Sequence, residues 1–248
     1  MGHIKSLNAL MKYLREVHNI QIEGSSDKQH LKSVGYFHGY KGYRYIKSPT
    51  NKITFNTFDE IMAIINFDNK LKALLYPQVM FIETALKSYA LEIIIQDGQT
   101  ENFSKIYSNL MTDYKSYSNQ NDNYKNAYKK RLDTYNGIQS SIAKSYASDN
   151  NIVSHYFKND EIIPIWAIFE IITLGEFGNL ISTFNVQTRK NISKDIGFNI
   201  AFDSNGKLVE TIIFTLKDLR NAIAHNNVIF DTRFNKRKIR FKPFQHND

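Results

Sequence analysis

Apolar residues recur along most of this chain at spacings of three and four, the period of an amphipathic α-helix. Ile4, Leu7, Leu10, Met11, Leu14 and Val17 form the first such stripe. Residues 19–56 break it: Gly24, Gly35, Gly39, Gly42 and Pro49 fall there, and only a short helix over about 26–34 fits. Thr57 stands where a helix cap would, with Glu60 three residues on, the spacing of a capping box. The helix it opens carries Phe58, Ile61, Ile65, Leu71 and Leu74 and is expected to stop before Pro77. A further helix comes next, over about 78–96 on Val79, Ile82, Leu86, Ala90 and Ile93, ended by Asp97-Gly98.

Residues 97–160 are rich in Asn, Ser, Tyr and Lys and poor in apolar side chains. Helices are expected over about 103–117 and 122–146, with a loop between them. The segment reads as a polar helical arm rather than a second core. Pro164 suits the first turn of a helix reaching about Leu174. Gly175 and Gly178 are expected to interrupt it, with Leu180, Ile181 and Phe184 continuing the pattern. Asp203-Ser204-Asn205-Gly206 is a turn. The last strong helix covers about 207–225, with Leu208, Ile212, Leu216, Leu219 and Ile223 on one stripe and Asn226-Asn227 as its stop. No βαβ alternation and no internal repeat is present. The pattern predicts an all-α (mainly helical) single domain over 1–248, with 97–160 as the arm and 228–248 as a basic tail.

Composition narrows the chemistry. A chain of 248 residues with 42% hydrophobic content is long enough to bury a core. With no cysteine, disulfides, thiolate zinc sites and cysteine nucleophiles are excluded. No His-x3-His, HExxH or glycine-rich phosphate loop occurs, so no metal and no cofactor is expected. The 32 Lys and Arg against 24 Asp and Glu give a net charge of +8, which favours a polyanionic partner. No apolar stretch approaches the ~20 residues that span a bilayer, and the amino terminus lacks the apolar core of a signal peptide. The expectation is a cytoplasmic protein without a membrane partner.

The sharpest candidate site is Leu219-Arg220-Asn221-Ala222-Ile223-Ala224-His225. Arg220 and His225, five positions apart, diverge by roughly 140° on a regular helix. Asn221 and His225, four apart, share a face, so the Asn221 amide is expected to orient the imidazole. At a helix carboxyl end the macrodipole favours a cation, so His225 there would carry its proton readily. Imidazolium and guanidinium together suit a phosphate. Glu83, beside the Val79–Leu86 stripe, is expected to be half buried and to need a partner, Arg220 being one candidate. Glu170 is a second such carboxylate.

Three blocks of residues carry a family resemblance. The first is Gly35-Tyr36-Phe37-His38-Gly39-Tyr40-Lys41-Gly42-Tyr43-Arg44, with Phe58-Asp59-Glu60-Ile61, Phe67-Asp68, Leu71-Lys72 and Ile82-Glu83 after it. The second is His155-Tyr156, Pro164-Ile165-Trp166 and Glu170-Ile171-Ile172-Thr173-Leu174-Gly175. The third is Leu219 to Asn226. In order and spacing the chain resembles the Abi-like abortive-infection proteins of bacteria (the AbiD/AbiF type), members of the HEPN superfamily. The chain departs from many relatives at Val228, where they carry an arginine.

The resemblance implies a HEPN-type helical bundle and a metal-independent endoribonuclease toxin of a phage-defence or toxin–antitoxin system. Arg-x4-His pairs from two protomers of a homodimer would form one cleft, in which Arg220 and His225 act on RNA, with Asn221 beside them and Glu83 and Glu170 in support. The alternative is an RNA-binding module that holds a cognate noncoding RNA with little cleavage. The antitoxin would be RNA or protein. For RNA contact the candidates are Lys41 and Arg44 in the aromatic run, and Arg233, Lys236, Arg237, Lys238, Arg240 and Lys242 in the tail, six basic residues with no acidic one between them.

Overall fold

The computed structural model describes residues 6–234. The basic candidates Lys236, Arg237, Lys238, Arg240 and Lys242 lie outside the described residues. Those described are mostly helical with almost no strand, an all-α fold as the apolar period predicts. The described residues divide into two compact units: one holds 6–79 and 218–234, the other Met80–Lys217.

The first unit opens with α1 (Leu7–His18), capped by the Ser6 hydroxyl, and α2 (Gly24–Val34). Met11 and Leu14 of α1 and Leu31 of α2 enter its core with Ile20, Ile22, Phe58 and Ile61. A single wide π turn comes after α2, at Tyr36–Lys41. It turns Tyr40 into the core and leaves Phe37 outside. Gln21 exchanges backbone hydrogen bonds with Asn56 and Phe58, which fixes the entry to α3 (Phe58–Gly98). There the predicted capping box forms: Glu60 N–H donates to Thr57 Oγ1, and the Glu60 carboxylate accepts from the Asn56 and Thr57 amides. Those amide bonds, the one from Asn56 foremost, hold the Glu60 carboxyl below its ordinary pKa.

Helix α3 does not stop at Pro77. It continues unbroken to Gly98. A proline removes one donor and frees one carbonyl a turn back. Ala73 and Pro77 are both exposed, so water hydrates that carbonyl, and apolar stripes on both sides keep the helix going.

The second unit contains α4 (Phe103–Asn109), α5 (Asp122–Ala147), α6 (Asn151–Lys158), α7 (Ile165–Ile171), α8 (Leu174–Thr183), α9 (Val186–Asp195) and most of α10 (Leu208–Ala224). The 97–160 segment is not a peripheral polar arm. Helix α5 packs against α6, α7 and α8, and Phe103, Ile106, Leu110, Met111, Ile138 and Ile142 are buried. Tyrosines stand in for the missing aliphatics. The buried Arg131 guanidinium lies 3.7 Å from the Tyr107 ring centroid, with Tyr114 and Tyr128 around it, and donates to Tyr107 O.

Gly175 and Gly178 do not interrupt α8 either, which Thr173 and Glu176 start with a full capping box. A Cβ at Gly178 would meet Ile213 Cγ2 and Phe214 Cζ, each at 3.1 Å. Glycine is there to let α10 approach. Asp203, in the predicted turn, caps α10 through the Leu208 amide. The buried stripe of α10 is Val209, Ile213 and Leu216 rather than Leu208 and Ile212. That helix is apolar on more than one face, so periodicity admits either stripe.

Among the described residues no helix is long and apolar enough to cross a membrane.

Candidate functional site

The carboxyl end of α10 is built by a Schellman-type stop. Asn226 adopts a left-handed conformation at φ 52, its N–H donates to Ile223 O, and the Asn227 N–H donates to Ala222 O at 2.8 Å. His225 is therefore the last residue before the reversal. Its backbone still bonds to Asn221 O, and its side chain is exposed.

The Asn221 side chain does not hold the imidazole. Its Oδ1 accepts from Arg220 Nη1 at 3.4 Å instead. Arg220 is part-buried, and its Nε is buried without a hydrogen-bond partner. A buried guanidinium N–H without a partner is a donor that an anion could satisfy.

The chain just past His225 is clamped. Asp68, fully buried on α3, accepts from the Ile229 and Phe230 amides through Oδ1 at 3.1 and 2.7 Å. Its Oδ2 accepts the Tyr43 hydroxyl at 2.7 Å and pairs with Lys72 at 2.9 Å. Lys72, 7% exposed, donates onward to Asn226 Oδ1 at 2.8 Å. The Tyr43 ring stacks on Phe230. Burial first, then the hydrogen bond and charge of Asp68, pushes the Tyr43 hydroxyl well above its ordinary pKa. Tyr43, Asp68, Lys72 and Asn226 fall within the blocks of family resemblance but were not among the site residues read from the sequence, because an Asp68/Lys72 spacing of four looks like a surface ion pair.

Val228 is buried in the same core, so this position offers nothing to a phosphate. Arg233 is likewise taken up within the fold. It pairs with Asp231, donates through Nη1 to Gly42 O at 2.8 Å, and bonds Tyr45 O. Burial alone would raise the Asp231 carboxyl, but the Arg233 side chain and the Lys47 and Arg233 amides bring it below its ordinary pKa.

The aromatic run divides. Tyr40 and Tyr43 are core, while Phe37 is 70% exposed with the Lys41 ammonium 4.7 Å from its ring centroid. Arg44 is part-buried with its guanidinium over Tyr45. In the second unit, Glu83 and Glu170 line one cleft of about 140 Å³ with Lys87 and Phe169. Glu83 Oε1 lies 3.8 Å from Lys87 Nζ, and its Oε2 is buried without a hydrogen-bond partner. Lys87, a turn further along α3, is thus the neighbour of the Glu83 carboxylate, and it also donates to Phe169 O and Ile172 O.

No curated protein and no solved structure matches the chain. A family model described as Abi-like protein matches residues 29–231 of the 248, a span that takes in the second half of α2, the aromatic run, the clamp and the end of α10. On that match the chain belongs to the Abi-like protein family.

Proposed function

We propose that the protein is a metal-independent endoribonuclease of the HEPN type that serves phage defence by abortive infection, working as a homodimer whose two Arg220/His225 pairs face one RNA strand. The observation that carries this reading is the end of α10: an exposed His225 on backbone held by a helix stop and a buried clamp, and, five residues before it, an Arg220 whose buried Nε lacks a partner. In the reaction one imidazole accepts the proton of a ribose 2′-hydroxyl as its oxygen attacks the adjacent phosphorus. The bond from phosphorus to the 5′-oxygen breaks, and the other imidazole protonates that oxygen. The products are a 2′,3′-cyclic phosphate and a 5′-hydroxyl. Arg220 stabilises the charge building on the phosphoryl oxygens.

Two features favour a second copy. Arg220 and His225 point away from one another on one helix, so a pair that works together comes more easily from two chains. On the first unit's part of α3, Phe67 and Leu74 are 58% and 68% exposed and lie seven residues apart, on one face.

Wild type and His225→Ala, purified and incubated with total RNA in EDTA, decide the matter. Cleavage by wild type alone, leaving cyclic phosphate ends, is the expected result. Equal cleavage by both overturns the assignment. Bound RNA with no cleavage by either assigns the chain instead to the holding of a noncoding RNA.

A further inference from the structure

We propose that the cleft immediately beyond His225 is a nucleobase subsite, which selects the nucleotide beside the scissile phosphate. It deepens the ribonuclease reading and rests on the chain acting on RNA. The cleft measures about 350 Å³ and is lined by Phe37 and Phe234, by His38, Asn226, Asn227 and Arg233, and by small neighbours of the first unit. That is the small end of the range for ligand pockets, ~300–1,000 Å³, and suits one nucleotide rather than a duplex.

Each wall has a defined chemistry. The wide turn at Tyr36–Lys41 buries Tyr40 and turns Phe37 out, so a large apolar ring stands 70% exposed in the lining of a mixed polar and apolar cleft. Leaving such a ring in water is unfavourable, and a nucleobase covers it without regard to its own hydrogen-bonding edge. Phe37 is not loose: Tyr36 meets it edge to face at 5.5 Å, and Lys41 stands over it at 4.7 Å. A cation over that ring is also placed for the phosphate of a stacked nucleotide.

Selectivity comes from the opposite wall. The Asn226 Oδ1 is held by Lys72, which fixes its amide plane and directs Nδ2 elsewhere as a donor. Asn227 and His38 are exposed and offer both donors and acceptors. Arg233 is committed to Asp231, Gly42 and Tyr45, so it is wall and not ligand. Because Asn226 comes directly after His225, a base in this cleft sits next to the phosphate that His225 would address.

The test is binding without turnover. Labelled 2′-O-methyl homopolymers of about eight nucleotides, one for each base, lack the attacking hydroxyl, and their affinities are read by fluorescence anisotropy in EDTA at fixed salt. For the best-bound oligomer, Phe37→Ala is expected to weaken affinity about tenfold, and Phe37→Trp to retain it. Asn227→Ala is expected to level the differences among the four bases. Since Phe37 is exposed, its truncation leaves the core intact, which thermal melting checks. If Phe37→Ala binds like wild type, or wild type binds none of the four, the subsite is overturned. Phe37-dependent binding in a protein that cleaves no RNA supports the subsite and removes only the ribonuclease reading.

Discussion

Lys72 and Asn226, 154 residues apart in the chain, are joined by a 2.8 Å hydrogen bond. Through it the buried Asp68–Lys72 pair reaches the residue that ends α10. Lys72→Met removes the cation from a fully buried carboxylate, and breaking such a pair costs about 3–5 kcal/mol. Urea denaturation should show that loss, and amide exchange at Ile229 and Phe230 should quicken. Lys72→Met combined with Asp68→Asn should recover a good part of it, because no charge is then left unpaired. A double variant as unstable as the single would show that the clamp is not electrostatic.

The conformation of Asn226 separates from its hydrogen bond by choice of substitution. Asn226→Gly and Asn226→Ala both lose the contact with Lys72. Only alanine is strained at φ 52, by roughly 1 kcal/mol. Alanine should therefore be the less stable of the two in denaturation. If both catalyse as poorly as each other while differing in stability, it is the Lys72 contact that aligns His225.

Helix ends and stripes were legible wherever a residue type has one strong use. Thr57 with Glu60 caps α3, Asp203 to Gly206 makes the turn, and Asn226 ends α10. Legibility failed where burial is polar. Helix α9 was not foreseen because its inner face is Thr188, Arg189, Ile192 and Ser193, and only one of these is apolar. Arg189 is buried there because Asp113 and the Phe184 carbonyl meet its guanidinium. The 97–160 segment misled for the same reason, since tyrosine and one arginine do the packing expected of leucine. The role of Asp68 could not be read from spacing either, because its partners lie 161 and 162 residues away.

Arg233 and Lys41 should respond differently to removal, although both are cations lining or flanking the same cleft. Arg233 holds the Asp231 carboxylate and two backbone carbonyls, so Arg233→Ala should lower stability by about 2 kcal/mol. It should leave the salt dependence of RNA affinity unchanged. Lys41 is exposed and bonded only to aromatic faces, so Lys41→Ala should leave stability alone. It should reduce the slope of log affinity against log salt by about 0.7, the share of one single-strand phosphate. Equal slopes in wild type and Lys41→Ala would remove Lys41 from the RNA contact.

Phe67→Glu with Leu74→Glu places two charges on the exposed face of α3 within the first unit. Neither side chain contributes to the core, so the fold should persist. On the proposed homodimer, sedimentation should show dimer for wild type and monomer for this variant, and RNA cleavage should fall with the dimer. Full cleavage by a proven monomer would mean that one Arg220/His225 pair suffices.

Tyr43 makes the clamp sensitive to alkali. In the unfolded chain a tyrosine hydroxyl ionises at about pH 10, while burial and Asp68 keep Tyr43 protonated well above that. A folded-state pKa raised above the unfolded one gives stability that is complete below about pH 10. Stability then declines as pH rises toward the folded value, by up to about 1.4 kcal/mol per pH unit for one proton. Tyr43→Phe has no proton to lose. It should be less stable than wild type at neutral pH by about 1 kcal/mol, the worth of its bond to Asp68. Above pH 10 its decline should be shallower, so that the two curves converge. Tyr36 and Tyr40, whose hydroxyls are also raised by burial, add the same background slope to both proteins. Urea denaturation from pH 8 to pH 11 reads the difference, and parallel curves would mean that Tyr43 ionises as freely in the fold as outside it.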